Sequence, residues 1–320
     1  MAKQTVLSAI IDIFSKAPPL VTADLTGQTV VVVGANTGIG FETAKHFAGM
    51  NPGKLVLGCR SEEKGKAAVE RIKRETGFNS VELRPIDLAK FSSVITFADS
   101  FKDEARLDIL VMNAAVAIRD SREVTSDGWE QGIQVNNLST SLTTLLLVPK
   151  MDKTAKTDLH YWSKIDDADL DAESSFRAIS DSSDPEKIKG RYSETKLLNV
   201  FFTRSLSHSP LPNPHPHILR LFSLVGKIMD VLMARTSEEG SRQVVWGALA
   251  DIDDIDAGVG VGVEGAKREA AYVIMSKVVE PSDFVMGEEG KRRGEKLWAD
   301  LVRELSKVDG RVAEIVRQYS

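Results

Sequence analysis

Residues 29–40 constrain this chain more than any others. Thr29-Val30-Val31-Val32-Val33 is an unbroken β-branched run, and Gly34-Ala35-Asn36-Thr37-Gly38-Ile39-Gly40 follows it at once, leading into the helix-like Phe41–Ala48 stretch FETAKHFA. A strand without polar alternation must be covered on both faces, which is how strands sit in parallel sheets sandwiched between helices. Glycines between strand and helix permit a tight turn, let the backbone approach a pyrophosphate and allow close packing of helix on strand. The helix N-terminus then presents its amide N–H groups to the anion. Gly34, Asn36, Thr37, Gly38, Ile39 and Gly40 are therefore candidate cofactor-binding residues.

The alternation continues beyond this unit. Residues 54–59 read as a second strand, 62–76 as a charged amphipathic helix, 80–84 as a third strand, 92–104 as a helix and 107–113 as a fourth strand. Right-handed crossovers between such units give an α/β fold with a doubly wound parallel sheet of the Rossmann kind. Residues 123–151 read as mainly helix and 192–207 as another. Further helices are expected near 240–250 and from 288 onward, with a strand at 271–276. Two stretches break the rhythm. Residues 152–189 are dense in charge and hold no β-branched apolar run, so the strand that alternation demands there is missing. Residues 217–221 are a weak strand that runs directly into the helical-looking 222–234, and 258–265 is a Gly/Val stretch.

Composition narrows the function classes. A net charge of −5 leaves no basic surplus to replace phosphate counterions, so nucleic acid is not an expected partner. One cysteine, Cys59, forbids an intramolecular disulfide and fits a reducing, cytoplasmic setting. No apolar run approaches the ~20 residues that span a bilayer. Val6, Leu7, Ile10, Ile11 and Phe14 recur at helical spacing before Pro18-Pro19, while Asp12 interrupts what a signal peptide would keep apolar. Residues 1–21 are thus expected to form an extension whose helix lies across the surface of a single domain, 22–320; peripheral membrane contact stays open beside that reading. No metal site is expected. His215 and His217 lack further ligands at metal spacing, and the Asp251, Asp253, Asp254, Asp256 cluster has an aspartate where a calcium loop requires glycine. Asn137-Leu138-Ser139 is a glycosylation sequon, but it falls on a helix expected to be buried.

The GxxxGxG spacing of Gly34, Gly38 and Gly40 resembles the short-chain dehydrogenase/reductase family, and further matches follow in family order. Asp87-Leu88, after the third strand, resembles the pair that holds the adenine ring. Asn113-Ala114-Ala115 resembles the element ending the fourth strand, with Met112 in place of its first asparagine. Asn136, in QVNN, matches the asparagine that supports the active site, and Tyr192-Ser193-Glu194-Thr195-Lys196 matches the YxxxK catalytic pair. Residues i and i+4 share a helix face, so Lys196 lies one turn from Tyr192. An ammonium there favours the phenolate, drawing the phenol from about 10 toward working pH and suiting it to proton transfer at a carbonyl or alcohol. Arg60 and Lys64, just past the second strand, suit a 2′-phosphate where an acidic residue would suit the ribose hydroxyls of NAD, so NADP(H) is the expected cofactor.

The wording ANTGIGFETAKHFA, LGCRSEEKGKAA and YSETKLLNVFF resembles the retinol-dehydrogenase-like, fungal branch. The resemblance implies an NADP(H)-dependent oxidoreductase interconverting a carbonyl and an alcohol on a small apolar metabolite, in specialised (secondary) metabolism. Tyr192 and Lys196 would serve both catalysis and cofactor binding, Asn136 would support the site, and the C-terminal segment would close over the substrate cleft. A homodimer stays open. Two departures from the family pattern support an alternative, a degenerate relative that binds cofactor or a partner without efficient turnover. The fifth strand with its catalytic serine is missing, Thr157 standing where that serine would be. The Pro-Gly loop after the sixth strand is missing too.

Overall fold

A computed structural model of the chain describes residues 17–118, 121–151, 164–208, 236–249, 272–274, 277–279 and 282–318. The β-branched run is strand β1 (Thr29–Val33), buried at every position. Helix α1 (Gly38–Ala48) follows it, then β2 (Lys54–Cys59), α2 (Glu62–Thr76), β3 (Val81–Pro85), α3 (Phe91–Asp99) and β4 (Ile109–Met112). The strands form one sheet in the order β3-β2-β1-β4, and every pairing is parallel. Val31 sits opposite Val56 on one side and Leu110 on the other. The chain therefore reverses its direction of travel across the sheet between β1 and β4, which is the switch point of a doubly wound sheet.

Side chains alternate across a strand, and β1 sorts the core accordingly. Val31 and Val33 pack with Phe97, Leu142, Leu197 and Leu305 on one face, while Val30 and Val32 pack with Phe41, Phe47, Ile72 and Val245 on the other. Local signals end the helices as expected: the Ser61 hydroxyl accepts from Lys64 N at 3.3 Å to start α2, and Gly77, at φ 75°, closes it in the left-handed conformation.

Past β4 the chain is mostly helical: α4 (Gln131–Ile133), a π-helical turn over Gln134–Leu138, α5 (Ser139–Leu147), α6 (Asp167–Asp171), α7 (Ser175–Asp181), α8 (Pro185–His208) and α9 (Ser237–Leu249). Then come the antiparallel pair β5 (Tyr272–Ile274) and β6 (Lys277–Val279), α10 (Gly287–Val308) and α11 (Arg311–Gln318). Helix α9 packs on α1. The amphipathic α10 covers α8, with Trp298 6.0 Å from Phe202 and Phe284 6.2 Å from Phe201 between ring centroids, and α11 packs on α5. Asp300, buried on α10, accepts from Ser175 N at 3.0 Å and Ser175 Oγ at 2.8 Å and pairs with Lys296 and Arg303.

The doubly wound parallel sheet is as the sequence predicts, and several boundaries are corrected. Residues 123–151 are not helical from their start. Val124 and Glu130 form an isolated bridge, and the helix begins only where the Glu130 carboxylate accepts from Gly132 N and Ile133 N, both at 2.8 Å. Residues 164–189, read as a charged break, carry α6, α7 and the start of α8, and no strand. The capping signals were there. Asp166 accepts from Ala168 N at 3.2 Å, Ser174 from Arg177 N at 3.4 Å, and Asp184 from Glu186 N at 2.9 Å just before Pro185, a residue suited to a first helical turn. The strand at 271–276 is β5, and its hairpin partner β6 was not expected. The helix at 4–16, Thr157, residues 217–234, the Gly/Val stretch, the histidines and the aspartate cluster all lie outside the described residues.

Asp300 is a buried polar link between α10 and α7. Asp300→Ala should lower unfolding free energy by about 1–3 kcal/mol, because it leaves the buried Ser175 N–H without its acceptor. A urea midpoint unchanged from wild type would show that α10 is held by apolar packing alone.

Candidate active site

The site residues gather at the carboxyl ends of β1, β2, β3 and β4. The turn after β1 is set by steric necessity. Gly34 has φ +87° and Gly38 φ +62°, conformations that favour glycine. A Cβ on Gly34 would lie 2.8 Å from the Ala114 backbone. One on Gly40 would overlap the Gly34 carbonyl oxygen and lie 2.5 Å from Asn113 Nδ2. Asn113 Nδ2 donates to that same carbonyl at 3.2 Å, so the loops after β1 and β4 are locked together. At Gly38 the space is open, its nearest neighbour being Ser237 Oγ at 4.0 Å. Thr37, in extended conformation, is the N-cap of α1, and its side chain does not cap the helix. The first amides of α1 therefore face a glycine-lined opening, which suits an anion.

Arg60 immediately follows β2, exposed and with no ion pair among the described residues; Lys64, one turn into α2, is exposed as well. Asp87 follows β3, half-buried. Its backbone N–H donates to Ser93 Oγ at 2.9 Å, and its Oδ1 accepts from Ala89 N at 3.1 Å, which leaves Lys90 as a loose ionic neighbour at 4.0 Å. Leu88 is buried beside it in the core.

Asn136 sits in the π-helical turn. Such turns are rare and release backbone carbonyls from the helical ladder. Here Ser139 N reaches back to Gln134 O, and two carbonyls of the turn accept from side chains: Val135 O from Thr140 Oγ1 at 3.0 Å, and Asn136 O from Asn199 Nδ2 at 3.0 Å. The Asn136 side chain is fixed at both ends. Its Oδ1 accepts from Val116 N at 2.8 Å, and its Nδ2 donates to Val116 O at 2.8 Å and Thr195 Oγ1 at 3.1 Å. Thr195 Oγ1 in turn donates to Tyr192 O at 2.7 Å, and Asn137 Nδ2 donates to Asn199 Oδ1 at 2.7 Å. The Asn136 turn and α8 are thus stitched together by three side-chain hydrogen bonds along the stretch of α8 that carries Tyr192 and Lys196. Thr195 and Asn199, one turn apart on α8, were missed in the sequence. Their signal was the i,i+4 spacing of polar residues on a helix otherwise apolar there.

Tyr192 and Lys196 share a face of α8, with Lys196 Nζ 5.0 Å from the Tyr192 ring centroid. Lys196 is buried, and among the described residues it has no carboxylate or hydrogen-bonding partner. Burial pushes its ammonium down to about 7. Such a cation, with no acceptor among the described residues, suits hydroxyl or anionic oxygens brought by a ligand. The α1 amides suit an anion the size of a pyrophosphate, and the lysine suits hydroxyl oxygens.

Sequence comparison places these motifs in a family context. The family profile described as short chain dehydrogenase matches residues 28–159. Short chain dehydrogenase/reductase dmxR8 of Cryptosporiopsis sp. (strain 8999) is 29% identical over 92% of this chain and 95% of its own length. Short chain dehydrogenase sol3 of Alternaria solani is 34% identical over 57% of this chain and 67% of its own. Retinol dehydrogenase 13 of Mus musculus is 37% identical over 58% of this chain and 55% of its own. Among the described residues no helix is long and apolar enough to cross a membrane.

Lys196 makes stability depend on pH. Its folded value, about 7, lies below the unfolded 10.5, so the unfolded chain binds more protons between them and stability rises with pH through that window. Cys59 opposes this at higher pH: burial raises its thiol from 9.0 to about 11, a contribution lost as pH climbs past 9. Between pH 7 and 9 the ligand-free protein should gain on the order of 1 kcal/mol per pH unit. Lys196→Met should flatten the slope and stabilise the protein at pH 7. Parallel slopes for variant and wild type in urea titrations at pH 7, 8 and 9 would refute this.

Proposed function

We propose that this chain, which belongs to the short-chain dehydrogenase/reductase family and to its retinol-dehydrogenase-like fungal branch, is an NADP(H)-dependent oxidoreductase interconverting a carbonyl and an alcohol on a small apolar metabolite. The observation that carries the reading is the Tyr192–Lys196 pair on one face of α8, the lysine buried without a carboxylate or hydrogen-bonding partner among the described residues and the helix pinned to the Asn136 turn. We read residues 22–320 as one domain acting in a reducing cytoplasm, and we place its substrate in specialised metabolism by likeness to fungal relatives.

When bound, the nicotinamide supplies or accepts the hydride; the rest of the work falls to the chain. The turn Gly34, Asn36, Thr37, Gly38, Ile39 and Gly40 holds the pyrophosphate on the α1 amides, with Asn113 keeping that turn closed. Asp87 and Leu88 hold the adenine end. Arg60, which nothing in the described protein neutralises, pairs with the 2′-phosphate through charge-assisted hydrogen bonds. Lys196 holds the nicotinamide ribose, whose oxygens favour its charged form. A charged Lys196 favours the Tyr192 phenolate, so Tyr192 gives its hydroxyl proton to the carbonyl oxygen in reduction and takes it back from the alcohol in oxidation. Asn136, held by Val116 and Thr195, supports the site by fixing α8.

Two measurements test this reading. In fluorescence titrations NADPH should bind more tightly than NADH, and Arg60→Asp should reverse the order; a wild type that prefers NADH, or an unchanged ratio in the variant, refutes the 2′-phosphate assignment. NADPH oxidation against a panel of aldehydes and ketones should identify a reducible carbonyl. Tyr192→Phe should then cut kcat on the order of 10²–10⁴-fold with NADPH affinity retained. Near-normal turnover in that variant would make the Tyr192–Lys196 pair structural.

A further inference from the structure

Arg191 precedes Tyr192 directly and is 2% exposed. Its Nη1 lies 2.7 Å from Glu194 Oε2 and its Nε 3.8 Å from Glu130 Oε2. Nε and Nη2 are buried without a hydrogen-bond partner among the described residues. Glu130 is the residue whose carboxylate caps Gly132 N and Ile133 N, starting the helix that leads into the Asn136 turn. One guanidinium thus stands between the first turn of the Asn136 helix and the turn of α8 that presents Tyr192.

A stabilising device would not be built this way. A buried ion pair only offsets its desolvation when every donor is satisfied, and two of these nitrogens are not. What the arrangement does secure is charge balance and register at the residue next to Tyr192. Two buried carboxylates, Glu130 on α4 and Glu194 on α8, sit at this cation. Burial raises the Glu194 carboxyl, Arg191 draws it down, Asp169 on α6 raises it and Lys187 on α8 draws it down. Lys187 is itself paired with Asp166 and Asp169 on the α6 side, at 3.1 and 2.7 Å, which leaves Arg191 as the cation in contact with both glutamates.

We propose that Arg191 is a positioning residue for Tyr192: it clamps α8 to the start of the Asn136 helix and cancels the charge of Glu130 and Glu194, which would otherwise hold the phenol protonated. The proposal rests on the proton-transfer role given to Tyr192 above, and its first readout needs neither cofactor nor turnover. The chain has four tyrosines, so the Tyr192 phenol is read by ultraviolet absorbance titration as the difference between each protein and its Tyr192→Phe counterpart, with Lys196 intact throughout.

In NADPH-free protein, Arg191→Met should raise the Tyr192 phenol by about one unit or more, since two carboxylates are left uncompensated. Glu194→Gln should shift it the opposite way, and Arg191→Met combined with Glu194→Gln should return it toward wild type. Arg191→Lys, which keeps the charge, should stay close to wild type. With NADPH and the carbonyl found in the panel, Arg191→Met should lower kcat on the order of 10²-fold, the scale of a small misplacement of a catalytic group, while KM for NADPH changes little. If Arg191→Met fails to fold by circular dichroism, the opposite-signed shift in Glu194→Gln decides. A phenol titration identical in all variants, whatever happens to their stability, overturns the proposal. If the phenol shifts as expected but Tyr192→Phe turns over normally, the electrostatic coupling stands and the function assigned to Tyr192 falls.

Discussion

The parallel pairing of β1 with β2 on one side and β4 on the other is the constraint on which the rest depends. Because β1 is buried on both faces and bonded on both edges, the chain leaving its carboxyl end can only turn up and over. The neighbouring loops emerge at the same level. Gly34 is then forced against Ala114, Gly40 against the Gly34 carbonyl, and Asn113 donates into the small space that remains. These are contacts between backbones, and side chains larger than hydrogen would separate them. The glycine spacing is therefore a consequence of sheet geometry first, and open space at Gly38 is what that geometry leaves over.

A second constraint acts on the opposite layer. The π-helical turn takes one residue out of register, and two carbonyls in this buried stretch, Val135 O and Asn136 O, accept from side chains. Asn199 from α8 satisfies one of them, and the Asn136 side chain returns two bonds to the Val116 backbone and one to Thr195. The cost of the irregular turn is thereby converted into an attachment between that turn and α8. Helices that merely packed through Leu and Phe could slide by a rotamer; helices joined by directed hydrogen bonds at three points cannot do so without leaving buried groups unpaired.

How much of this was legible in the sequence follows from what kind of signal each part carries. The sheet was legible because unbroken runs such as Val30–Val33 or Leu55–Leu57 have no stable home except a doubly covered strand. The glycine turn was legible because its residues answer to local sterics. Tyr192, Lys196, Asn136, Asn113, Arg60 and Asp87 are picked out by spacing and likeness alone, and their roles remain part of the proposal. The helices between 164 and 189 were hidden because they are short and charged, held by caps and by Asp300 rather than by an apolar stripe. Thr195, Asn199 and Arg191 were hidden for a different reason: their partners lie 59 to 63 positions away along the chain or across a helix turn, and single-sequence periodicity carries no such pairing.

Helix α8 carries two buried cations five residues apart, and the protein treats them oppositely. Arg191 is held between carboxylates supplied by the chain itself, so its charge is compensated whether or not a ligand is present. Lys196 has no such partner among the described residues, and burial drives it toward neutrality. A chain selected only for stability would replace Lys196 with an apolar residue of similar length, because a buried amine without acceptors costs free energy at neutral pH. Its retention makes sense if the missing partner arrives from outside. A ligand that offers oxygen acceptors to Lys196 recovers the free energy withheld in the free protein. The charge it restores then acts on the phenol 5.0 Å away, measured to the ring centroid. On the roles proposed for Lys196 and Tyr192, binding and proton transfer would be coupled through one side chain, with the destabilised lysine as the physical form of that coupling.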